Sequence, residues 1–208
     1  MNIFNLDVIL EKWAKAYKPL SHSNVDSEKH KTFFRIGELK NSNEWNRNFS
    51  IMQPLVMCYS NIRSGQMTKK QNIINYEFSL YFLKKQTTET SRTTITGNLN
   101  SDLMSYDTRE ELDLHVQKLI TFLKELKYQV ACNTSGKADG TFLERILSQL
   151  SSVDRMWIQG IIFDEDFPQW SNIPEVLYNG WWCCGVLLSV NVPMNMCLLE
   201  TDYDKTKI

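Results

Sequence analysis

Leu6, Ile9, Leu10, Trp13 and Tyr17 recur at the spacing of one helical face, which predicts an amphipathic helix from about Asn5 to Lys18. Asp7 and Glu11 stand early in it and Lys12, Lys15 and Lys18 late, the order that complements the helix dipole, and Pro19 closes it. Ser21 to Lys31 is polar and reads as a loop; Thr32 to Ile36 reads as a short strand. Asn41 to Asn48 is polar around Trp45. In Leu55–Ile62, Leu55, Met57 and Tyr59 share one face and Val56, Cys58 and Ile62 the other, so a central strand covered on both sides is expected. Ser64-Gly65-Gln66 reads as the start of a turn.

Ile73 to Leu83 alternates strictly: Ile74, Tyr76, Phe78, Leu80 and Phe82 on one side, Asn75, Glu77 and Ser79 on the other. Period-two alternation predicts a strand with one buried and one wet face, paired with Leu55–Ile62 in an antiparallel hairpin. Lys84 to Tyr106 is rich in Thr and Ser and is expected to be a polar mobile loop or a long β-hairpin arm. A long helix is predicted from Asp107 to Lys127, with Asp107 as N-cap, Glu110 in capping-box position, and Leu112, Val116, Leu119, Phe122, Leu123 and Leu126 inward. After it come a strand at Tyr128–Cys132, a loop at Thr134–Gly140 and a short helix at Thr141–Leu150. A strand at Met156–Phe163 and an irregular connection from Asp164 to Tyr178 follow. Asn179-Gly180 is a turn, Trp181–Val192 the last long strand, and 201–208 a frayed tail.

That order predicts an α+β fold: a mostly antiparallel sheet with the N-terminal helix and the long central helix packed on one face. No Pro/Gly/Ser-rich stretch divides the 208 residues, so a single domain is expected over 1–208. Hydrophobic residues at 42% and aromatics at 12% suffice for a packed interior. The 23 basic and 24 acidic side chains leave a formal charge of −1, without the basic excess of a general nucleic-acid binder. The N-terminal run lacks a basic segment followed by an apolar one, and no apolar run reaches membrane-spanning length, so an intracellular chain is expected. The five cysteines, at 58, 132, 183, 184 and 197, read as reduced, mostly buried residues.

The reactive groupings are sparse. His22 and His30 lie in the polar loop. His115 lies one turn from Leu112 and Leu119, where it reads as a packed boundary histidine, with a catalytic or ligand role as the alternative. Gly136-Lys137 is followed by Ala138, where a phosphate-binding loop needs Ser or Thr, and Ala131 stands where its first glycine belongs. Asp164, Glu165 and Asp166, with Asp154 upstream, form the one carboxylate cluster. Such a cluster can hold a divalent cation, but three consecutive acids without a following ligand loop read as a solvated strand end. Cys183-Cys184 has no second pair at zinc spacing. No catalytic residue, metal or cofactor is expected. Arg63, Lys69 and Lys70 near the hairpin loop, and Lys84 and Lys85 after the next strand, read as scattered solubilising charges.

Trp45, Trp170, Trp181 and Trp182 flank turns or strand starts, where tryptophans serve as interface anchors or core plugs. Trp181 and Trp182 face opposite ways on a strand, so one of them is expected to be available to a partner.

The helix at Leu6–Tyr17, the strand at Ile73–Leu83, the helix at Leu112–Leu126 and the strand at Trp181–Val192 together resemble phage tail-terminator, tail-completion and neck proteins in element order. The short helix at Thr141–Leu150 and the acidic stretch after Phe163 depart from that pattern. The resemblance implies a structural virion protein, made in the host cytoplasm, that closes a ring through contacts with copies of itself and with neighbouring virion proteins. It implies no membrane, no small molecule, and DNA contact only through a lumen. Thr87, Thr88, Arg92, Thr94 and Asn98 of the Thr-rich loop, with Trp45, Trp170 and Trp181, are the expected contact residues. A monomeric adaptor or immunity protein is the alternative reading. An enzyme built from distant acids and His115 is the third.

Overall fold

The computed structural model of the chain describes residues 6–20, 32–35, 55–67, 73–85, 106–177 and 181–193. Its elements are α1 (Leu6–Ala16), β1 (Phe33–Arg35), β2 (Leu55–Met67), β3 (Ile73–Lys85), α2 (Tyr106–Ala131), α3 (Phe142–Ser148), α4 (Ser152–Gly160), β4 (Gln169–Leu177) and β5 (Trp181–Pro193). The strands form one sheet in the order β1-β2-β3-β5-β4. The β1–β2 pair is parallel and the other three pairs are antiparallel, which makes the fold α+β.

The alternating residues of β3 decide where the helices pack. Phe78, Leu80 and Phe82 stand opposite Leu188, Val186 and Cys184 of β5 and are buried with them. Against this face lie Leu6, Leu10 and Trp13 of α1, Leu112 to Val130 of α2, and Trp157 and Ile158 of α4, all in one core cluster. Trp13 joins the layers: it stacks on Tyr17 at 4.5 Å, meets Phe82 edge-on at 6.3 Å and lies 6.4 Å from Phe122.

Five expectations are corrected. The long helix does not give way to a strand at Tyr128; it runs to Ala131. Val130 continues the stripe of Leu119, Leu123 and Leu126 and is buried with them. Burying an aliphatic side chain fully is worth roughly 1.5–3 kcal/mol. That exceeds the few tenths of a kcal/mol, roughly, by which local propensity separates Tyr and Val from good helix formers. The helix ends in a Schellman turn, with Asn133 at φ 54° and the Thr134 N–H donating to the Gln129 carbonyl at 3.0 Å.

Met156 to Gly160 belongs to helix α4, not to a strand. Ser151 and Asp154 cap it reciprocally, and Trp157, Ile158 and Ile161 are buried at helical spacing. Asp164–Tyr178, expected to be irregular, contains β4; Pro168 lies just before the strand, and Pro174 within it is tolerated because β4 lies at the sheet edge. Ser64-Gly65-Gln66 does not turn: the three pair with Glu77, Tyr76 and Asn75 after a register shift that follows Ser60. The polar side of β3 is wet only in part: Asn75, Glu77 and Tyr81 are half-buried, while Ser79 is buried there, as are Leu83, Trp181, Cys183 and Ser189 on the same side of the sheet.

The antiparallel β2–β3 hairpin stands as expected, with Leu55 opposite Lys84 and Met67 opposite Ile74. This register puts Lys84 at the far end from the hairpin connection. Instead of joining a basic rim, it pairs with Glu111 of α2.

Candidate functional site

One run of chain, from Ile161 to Leu177, lines the outer side of β5. Ile161 bridges Val190, and the Ile162 N–H donates to the Ser189 carbonyl at 2.8 Å. The chain then leaves the sheet and returns at Gln169, opposite Leu187. The excursion is built by Asp164, whose Oδ1 accepts from the N–H groups of Asp166 and Phe167, each at 2.9 Å. Its three acids, Asp164, Glu165 and Asp166, are exposed. At the other end of β4 the register breaks between Ile173 and Leu177, a stretch that contains Pro174.

The outer edge of β4 therefore has an acidic excursion at one end and a proline at the other, two devices that discourage indiscriminate strand pairing. Between them lies Gln169-Trp170-Ser171-Asn172-Ile173, uncharged and without a strand partner on its outer side among the described residues. Gln169, Trp170 and Ser171 are exposed, and Trp170 retains 44% of its accessible surface.

The register assigns the side chains of this edge to two faces. Trp170 and Asn172 stand opposite Val186 and Cys184, on the helical side, and the Asn172 amide donates to Asp113 of α2 at 2.9 Å. On the far side two rungs cross three strands, Ser79–Leu187–Gln169 and Tyr81–Gly185–Ser171. They line an open groove of about 290 Å³. Gly185 supplies no side chain at the middle of the second rung, and the Tyr81 ring lies over it, 3.5 Å from where a Cβ would stand. Hydroxyls, a carboxamide and apolar carbon line the groove, with no carboxylate, amine or imidazole among its described residues. Such a lining suits an uncharged extended chain.

The second cluster surrounds His115. The imidazole is buried between Tyr17, edge-on at 5.7 Å, and Phe82, stacked at 6.2 Å. Its Nδ1 lies 2.7 Å from the Tyr17 hydroxyl. Its Nε2 lies 3.8 Å from Glu111 Oε1 and has no hydrogen-bond partner among the described residues, while Glu111 Oε2 accepts from Lys84. Burial pushes the His115 pKa below its ordinary value against the pull of Glu111, and burial raises that of Tyr17.

The expected contact residues fare unequally. Trp170 is exposed, at the open edge. Trp181 is 1% exposed and Trp182 4%, so neither is available to a partner: β5 is an inner strand, and at this end both of its faces are buried. Trp45, Thr87, Thr88, Arg92, Thr94 and Asn98 lie outside the described residues. The carboxylate cluster is divided: Asp154 caps α4, while Asp164 organises its own turn. Among the described residues no group of three or more His, Cys, Asp or Glu is placed to hold a metal, and no helix is long and apolar enough to cross a membrane. The β4 edge itself escaped the sequence reading, because Pro168 and Pro174 masked its strand character. No family model, no curated protein and no solved structure matches the chain.

Proposed function

We propose that this chain is a structural assembly subunit that joins copies of itself through the open edge of β4, in the manner of the phage ring proteins whose element order it resembles. The observation that carries the reading is the uncharged stretch Gln169–Ile173 with exposed Trp170, unpaired on its outer side among the described residues and closed off at both ends. A short bounded edge admits a strand in few registers, which is what a repeating contact requires. Exposed indole at such an edge supplies apolar area that a neighbouring subunit can cover. A place in a virion, with DNA meeting the protein only in a lumen, follows from the same reading.

Size-exclusion chromatography with light scattering across a concentration series tests it. The expected result is a mass that rises above the monomer in discrete steps, and a return to monomer for Ser171→Lys, which puts a charge on the open edge. A strictly monomeric chain at high concentration overturns self-assembly and favours the adaptor reading, in which a different protein supplies the strand. Oligomers indifferent to Ser171→Lys move the contact away from β4.

A further inference from the structure

We propose that His115 is an acid-sensitive clasp: in its neutral form it holds the end of α1 against α2, and protonation loosens that hold. The proposal is independent of the assembly reading. It stands first on hydrogen-bond geometry. A neutral imidazole has one acceptor nitrogen; the Glu111 carboxylate 3.8 Å from Nε2 favours the ring proton on Nε2, which leaves Nδ1 to accept from the Tyr17 hydroxyl at 2.7 Å. Nε2 then carries the ring proton and finds no acceptor within hydrogen-bonding distance among the described residues.

Protonation turns Nδ1 from acceptor to donor, so the Tyr17 O–H must turn away and its oxygen must accept instead. The new charge sits on a ring 5% exposed, stacked on Phe82. Among the described residues three titratable or charged groups face it: Tyr17 from the α1 side, Lys84 from β3 and Glu111 from α2 itself. Glu111 would stabilise the imidazolium, but its Oε1 is 3.8 Å away and its other oxygen is held by Lys84, whose own charge opposes protonation. Tyr17 is stacked on Trp13, which packs on Phe82 and Phe122, so a shift of Tyr17 reaches the packing of α1 directly.

The sign follows from burial. The folded pKa lies below the ordinary value of 6.5, so the unfolded or undocked chain takes the proton first. The contribution of the clasp is complete above about pH 6.5 and is lost as pH falls from there through the lowered folded value.

The experiment is an NMR titration of the full chain from pH 8 to 4.5, with amide exchange read as protection factors. The expected His115 midpoint is below 6.5, and the protection of α1 amides falls about tenfold per pH unit between 6.5 and that midpoint. His115→Gln is expected to abolish the acid step in α1 while His22 and His30 titrate as before. Tyr17→Phe removes the donor to Nδ1 and is expected to raise the His115 midpoint, an arm that reads the clasp even if His115→Gln does not fold. A midpoint at or above 6.5, α1 protection that ignores the titration, or an unchanged acid step in His115→Gln overturns the proposal.

Discussion

Gly160, the last residue of α4, lies against the backbone of Asn191 on β5: a Cβ at position 160 would stand 2.0 Å from the Asn191 carbonyl oxygen. Backbone cannot yield as a flexible side-chain end can. The absence of a side chain here is therefore what lets the C-terminus of α4 dock beside Val190, where Ile161 forms its bridge. Gly160→Ala is expected to destabilise the fold by about 1–3 kcal/mol through overpacking. Urea unfolding should show a lower midpoint with an unchanged slope.

The two exposed-versus-buried tryptophans separate stability from surface function. Trp181→Ala removes a fully buried indole and is expected to cost about 3–5 kcal/mol. Trp170→Ala, at the open edge, is expected to change stability by less than about 0.5 kcal/mol while weakening self-association. Thermal unfolding of the two variants, beside their masses in solution, checks both halves.

Both short helices start in reciprocal caps, Thr141 with Glu144 and Ser151 with Asp154. In each, the N-cap hydroxyl accepts from an otherwise unpaired N–H, at 3.3 Å for Glu144 and 3.1 Å for Asp154. Thr141→Ala and Ser151→Ala are each expected to cost about 1 kcal/mol. The Thr141 hydroxyl and N–H hold the Glu144 carboxyl below its usual range, so Thr141→Ala should also raise the Glu144 titration midpoint seen by carboxyl NMR.

Cys183 and Cys184 are buried thiols whose pKa values burial pushes up to about 12. At pH 8 they are essentially all thiol, and the thiolate is the reactive form. Cys132 is exposed after α2. A maleimide pulse at pH 8 is expected to label Cys132 and leave the 183–184 pair unlabelled until the chain is unfolded. Peptide mass mapping reads the difference.

Much of the fold was legible as period. The stripe from Leu6 to Tyr17, the alternation of Ile73–Leu83, the stripe from Leu112 to Leu126 and the apolar run from Trp181 each became the predicted element. Thr141–Glu144 and Ser151–Asp154 were also local signals. The spacing of the second marks a helix start ahead of the β-prone run at Met156–Phe163, and the helix forms in place of that strand.

What the chain determined alone is the set of amphipathic segments, because periodicity is written within a few residues and needs only the geometry of helix or strand. Tertiary structure decided the rest. It carried α2 on through Val130, made an edge strand of a proline-bearing connection, buried Trp181 as well as Trp182, and brought Tyr17 to His115 across 98 positions. Those outcomes depend on which distant surfaces meet and exclude water from one another, a property no local spacing encodes.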